Sequence, residues 1–139
     1  MSSKSLWADL GQLPIVRAPR TVLLEQAQYL TEATKGALIG KVADRAAYVV
    51  GAGFRYLLVV QVPELNNYSV EILWIDHGIE LYPVRLGAGR PNKDVSCANE
   101  AELERAIESV LSSSEVKTIL SHLLSQLAAQ VGHTGTSLR

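Results

Sequence analysis

Cysteine is almost absent from this chain of 139 residues. Cys97 stands alone, so neither an intrachain disulfide framework nor a thiolate zinc centre is available. Histidine is nearly as scarce: His77, His122 and His133 share no metal-ligand spacing, and no metal is expected. Neither sign of charge is in excess, since 13 basic residues meet 14 acidic ones for a net charge of −1. That removes the electrostatic reason to bind nucleic acid or an anionic membrane surface. No apolar run approaches the roughly 18 residues of a membrane-spanning helix, and Asp9 and Gly11 interrupt the N-terminal stretch MSSKSLWADLGQL where a secretion signal has its apolar centre. A lone cysteine also fits a reducing compartment, so a cytoplasmic protein is expected.

Apolar side chains are what the sequence has in quantity. They make up 47 % of it against 19 % charged residues, far from the profile of a disordered chain. A chain of this length buries roughly 68 % of its unfolded surface, enough for one core without a cross-link. The expectation is a single domain over 1–139, with an N-terminal arm at 1–18 and a mobile tail at 132–139.

Within the arm, KSLWADLG suits one helical turn with Ser5 as N-cap, Gly11 after it, and Trp7 and Leu10 facing inward. Pro14 and Pro19 then hold the residues before them extended. Leu23, Ala27, Leu30 and Thr34 recur at helical spacing and predict a helix over 19–36, opened by Pro19 and closed by Gly36. From residue 37 the apolar period falls from 3.6 to 2. Strands are expected at 37–50, 54–62, 68–76 and 79–86, with the glycines of GAG at 51–53 making a hairpin turn. Pro83 cannot donate to a ladder, which places the fourth strand at a sheet edge. Asn99 as N-cap with Glu102 three residues later comes close to a capping box and opens a helix that turns Leu103, Ala106, Ile107 and Val110 inward. After a second cap at Ser112 or Ser114, a last helix carries the stripe Val116, Ile119, Leu120, Leu123, Leu124 and Leu127, with His122 on its polar side. The predicted class is α+β: an N-terminal helix, a four-stranded antiparallel meander and two C-terminal helices packed on the sheet.

The stretch EILWIDHGIE, residues 71–80, comes nearest to catalytic chemistry, with Asp76 beside His77 and Glu71 and Glu80 on either side. In an extended strand, adjacent side chains point to opposite faces. Asp76 therefore orients His77 only if the strand ends first at Gly78, and otherwise Glu71 or Glu80 must come from a neighbouring strand. A polar strand end followed by a glycine turn is the simpler reading. GAGRPNKDVSCA, residues 87–98, reads as an irregular loop whose Gly87, Gly89, Arg90 and Lys93 can form an anion-binding nest, although it lacks the Gly-Lys-Ser or Gly-Lys-Thr ending of a phosphate loop. Cys97 has no histidine near it in sequence and reads as a buried or incidental cysteine rather than a nucleophile.

Strand alternation predicts one further feature. If Phe54, Tyr56 and Leu58 lie with Val70, Ile72 and Trp74 under the helices, then Leu57, Val59, Leu73 and Ile75 form an apolar patch on the other face. Either the N-terminal arm covers that patch or a protein partner does, the simplest being a second copy in a two-fold homodimer joined through the sheet face or the last helix. The function expected is a noncatalytic protein-binding module, or a small subunit of a larger bacterial-type assembly of chaperone, antitoxin or immunity kind. Two alternatives stand beside it: a small-ligand or anion sensor using Arg90 and Lys93, and a small enzyme using His77 with Asp76 or Glu80. No cofactor is expected under the first reading.

Overall fold

The computed structural model describes residues 3–44, 53–88 and 93–136. Its elements are α1 (Pro19–Ala33), β1 (Ile39–Asp44), β2 (Phe54–Val62), β3 (Tyr68–His77), β4 (Val84–Ala88), β5 (Lys93–Cys97), α2 (Glu100–Leu111) and α3 (Ser114–Thr136). The strands form one antiparallel sheet in sequence order, β1 to β5. The α+β class holds, with five strands where four were expected.

The helices start and stop for local reasons. Pro19 occupies the first turn of α1, where a missing N–H costs nothing, and left-handed Lys35 and Gly36 turn the chain away after its end. At α2 one half of the capping box is made as expected, while the Glu102 side chain reaches one residue further back, to the N–H before the cap. Asn99 Oδ1 accepts from the Glu102 N–H at 3.0 Å, and Glu102 Oε1 accepts from the Ala98 N–H at 2.8 Å. The cap of α3 is Ser113, whose Oγ accepts from the Val116 N–H, while Ser112 closes α2. The last helix runs through Gly132 to Thr136, across much of the segment expected to be a mobile tail.

All the helices that pack on the sheet cover one face. Val22, Leu23 and Ala27 of α1, Leu103 and Ile107 of α2, and Val116 and Leu123 of α3 share a core with Leu58, Val60, Val62, Leu73, Ile75, Val84, Leu86 and Cys97. Helix α1 approaches β1 so closely that a Cβ at Gly40 would overlap the Ala27 backbone. Thr31 stitches the two together, its Oγ1 accepting from the Gly40 N–H at 2.9 Å and donating to the Ala27 carbonyl at 3.1 Å.

Two expectations about the sheet are corrected. Residues 79–83 form a turn with Leu81 at φ 72°, so Pro83 precedes β4, and β4 lies inside the sheet between β3 and β5. The segment expected to be a loop from 87 to 98 supplies the end of β4 and all of β5, paired from Val84 with Cys97 to Ala88 with Lys93. The second correction concerns faces. A bulge at Ile72 breaks the register between β2 and β3: Leu58 pairs with Leu73, but Val59 pairs with Glu71. One extra residue inverts the alternation beyond it. Leu73 and Ile75 thereby lie buried under the helices with Tyr56 and Leu58, and Trp74 moves to the opposite face beside Leu57. The four residues expected to form one exposed patch are split between the two faces.

Candidate functional site

The candidate dyad is separated by the pleat of β3. Asp76 projects to the open face and makes a bidentate pair with Arg55 opposite it, both contacts at 2.6 Å. His77 projects to the helix side and is only 8 % exposed, with its ring 5.4 Å from Phe54 and 5.8 Å from Tyr56 between centroids. Its Nδ1 lies 2.7 Å from the Gly78 carbonyl oxygen, an acceptor, so Nδ1 carries the proton. Nε2 is buried and has no hydrogen-bond partner among the described residues. Glu80 is exposed in the following turn, and no carboxylate contacts the imidazole among the described residues. Proton transfer needs a group within hydrogen-bond reach of substrate, and His77 faces aromatic rings instead.

The proposed anion loop is also rearranged. Gly87 is a strand residue, Lys93 opens β5, and Gly89 and Arg90 lie outside the described residues. Cys97 is 1 % exposed, and burial followed by the nearby Glu102 charge pushes its thiol pKa up, the wrong direction for a nucleophile. Among the described residues no group of three or more His, Cys, Asp or Glu side chains could hold a metal ion, and no helix is long and apolar enough to cross a membrane.

The open face of the sheet has its own cover. Trp74 lies flat over Gly87, at a spot where a Cβ would fall inside the indole. The Arg55 guanidinium stacks on the ring at 4.4 Å from its centroid, and Arg85 sits at 5.8 Å. Asp76 and Asp94 each pair with one of these arginines. Leu57, opposite Trp74 in the register, is buried beneath this layer without help from another chain. Arg55 and Arg85 went unrecognised in the sequence reading because their partners depend on the register set by the bulge.

The apolar surface left in water is in the arm. Leu6 is 94 % exposed, Trp7 77 % and Ile15 96 %, and Leu10, Leu13 and Val16 are each more than half exposed. The turn expected at residues 5–11 is a 3-10 turn at Leu10–Gln12, and Trp7 and Leu10 face solvent rather than the core. The arm is nevertheless tied down at its root. Arg17 pairs with Glu25 of α1, with Glu100 of α2 at 2.6 Å, and more loosely with Glu104 at 3.6 Å. The hydrogen bonds that Arg17 donates to Glu25 and Glu100 raise the guanidinium pKa above its ordinary value, so it is charged at every accessible pH. Comparison with protein-family models, curated proteins and solved structures found no match to this chain.

Proposed function

We propose that this protein is a noncatalytic protein-binding module, a small subunit that acts by docking through its N-terminal arm. The observation that carries the reading is six large apolar side chains, Leu6, Trp7, Leu10, Leu13, Ile15 and Val16, held in water on an arm whose root is fixed by Arg17. A Trp with neighbouring aliphatic residues is the composition of an interface anchor, and fixing one end lowers the ordering cost of binding. The environments of His77 and Cys97 favour the same reading, because each is buried in a setting that suits packing better than reaction.

The test is native purification of the tagged protein from its source, side by side with a Trp7→Glu/Leu10→Glu variant. Both substitutions are at exposed positions and leave the core intact. The expected result is a stoichiometric protein component, either another protein or a second copy, that is lost with the variant. A retained small molecule that survives the arm substitutions, with no protein component, would refute the proposal.

A further inference from the structure

The helix-covered face of the sheet stays open where β3 begins and β4 ends. A groove of about 1220 Å³ lies there between the sheet and the α2–α3 corner, lined by Val70, Ile72, Leu86, Val110, Val116 and Ile119. Its edge carries Glu71, Asp94 and Glu115. Asp94 is held by Arg85, whereas Glu115 makes no ion pair among the described residues.

The arm matches this groove in apolar pattern, and of its two charged side chains before Arg17, Lys4 and Asp9, it is the cation that heads the stripe. Leu6, Leu10 and Leu13 stand at i, i+4 and i+7, with Trp7 beside them, the anchor spacing of an amphipathic helix laid into a groove. The Leu10–Gln12 turn already has a near-helical path, and Pro14 ends the pattern. Lys4, at the head of the stripe, makes no ion pair among the described residues and offers a cation to an acidic edge.

Geometry favours the groove of another molecule. Arg17 anchors the arm to Glu100 and Glu104 on the flank of α2 that meets α1. Ser109, which lines the groove, stands about half a turn around the same helix from those glutamates, and Val110 about a quarter of a turn. The arm thus departs from the side of α2 opposite its own groove. Its six apolar side chains leave roughly 800 Å² in water, about the area that each partner gives to a stable interface. We propose that the arm of one copy docks in the groove of a second copy and receives that copy's arm in return, closing a two-fold dimer. Two reciprocal arms with the surface their grooves expose bury on the order of 2,000 Å², the size of a standard stable interface. This inference rests on the arm being the docking element proposed above.

Light scattering at micromolar concentration tests it with three samples: the wild type, the Trp7→Glu/Leu10→Glu arm variant, and a groove variant, Ser109→Arg. Ser109 is exposed on α2, so the arginine obstructs the groove without entering the core. Val110→Glu gives a second groove variant, and circular dichroism checks the fold of all of them. The expected wild-type mass is twice 15.1 kDa, and each variant alone should fall to 15.1 kDa. An equimolar mixture of arm and groove variants should regain dimers, because one intact arm still meets one intact groove.

A monomeric wild type overturns the proposal. So does a dimer that the arm variant breaks and both groove variants leave intact, which means arms pairing with each other, or a dimer that survives every substitution. Failure to regain dimers in the mixture also counts against it. If the wild type is monomeric while native purification still yields a protein component lost with the arm variant, arm exchange falls and the binding-module reading survives.

Discussion

Replacing Gly87 with Ala adds one methyl group to an interior strand, a change that ordinarily favours a strand by roughly 0.5–1 kcal/mol because glycine loses more backbone freedom on folding. Here the sign should reverse. The new Cβ would lie inside the Trp74 indole, which is wedged between the β4 backbone and the Arg55 guanidinium. The ring must swing outward, and overpacking of this kind costs about 1–3 kcal/mol. Losing the Arg55 stacking adds roughly 0.5–1 kcal/mol. The net expectation is a loss of about 1–3 kcal/mol, read as a lower urea midpoint and a melting temperature reduced by several degrees. Gly78→Ala is the control, since nothing lies within 4 Å of its Cβ position and its φ is not left-handed. A Trp74→Leu background makes the test sharper. With the indole gone, Gly87→Ala should cost at least about 1 kcal/mol less, a coupling that separates the clash from any general intolerance of the strand. Equal costs in the two backgrounds, or a Gly87→Ala protein as stable as the Gly78→Ala control, would refute the account of the open face.

Two other residues give independent checks. His77→Phe keeps a ring between Phe54 and Tyr56, removing both the bond to the Gly78 carbonyl and the buried, unpaired Nε2; the losses and gains are each about 1–2 kcal/mol. Urea denaturation should therefore place it within about 1 kcal/mol of wild type and His77→Ala lower by about 2 kcal/mol. A Phe variant as damaged as the Ala variant would mean that Nε2 is engaged. For Cys97, burial raises the folded thiol pKa, so its contribution to stability is complete below the unfolded value near pH 8.5 and is lost as pH rises through the folded value. The melting temperature should decline above about pH 8.5 with a slope that Cys97→Ala reduces. Modification by a disulfide reagent should also be slower than in the unfolded chain by a factor on the order of 10² or more, because it waits on opening of the fold. Rapid labelling of the native protein would contradict that burial.

Much of the architecture was legible because local signals agreed with one another. Pro19 and Gly36 bracket α1, Asn99 and Glu102 open α2, and the period-two runs at 54–62 and 68–76 became β2 and most of β3. What escaped was long-range. The bulge at Ile72 has no sequence signature, since EILWI alternates just as well in either phase, yet it decides that Ile75 is core and Trp74 is not. The hairpin β4–β5 was missed for a related reason. Glycine at 87 argues against a strand on propensity, and only the indole arriving from β3 explains why nothing larger fits there. The separation of Asp76 from His77 was readable in advance because it depends on the pleat alone.

The contrast between the two apolar surfaces bears on function more than any titratable group does. On the sheet, Leu57 is sealed by Trp74, and Trp74 by two arginines that are each neutralised by an aspartate, so that face gains little by recruiting a partner. Nothing comparable is done for the arm. Its apolar residues meet water at a hydrophobic cost of roughly 25 cal/mol per Å², and Pro14 limits the conformations it can search. A segment needed only to connect would be more stable with polar residues at Leu6, Trp7 and Ile15. Keeping them apolar while spending a three-carboxylate clamp on Arg17 makes sense if the arm is held ready for a second surface. The arm is therefore where substitution should separate folding of the protomer from association: Trp7→Glu should leave the circular dichroism of the protomer unchanged while abolishing association, and should remove the concentration dependence that a dimer gives the wild-type urea midpoint.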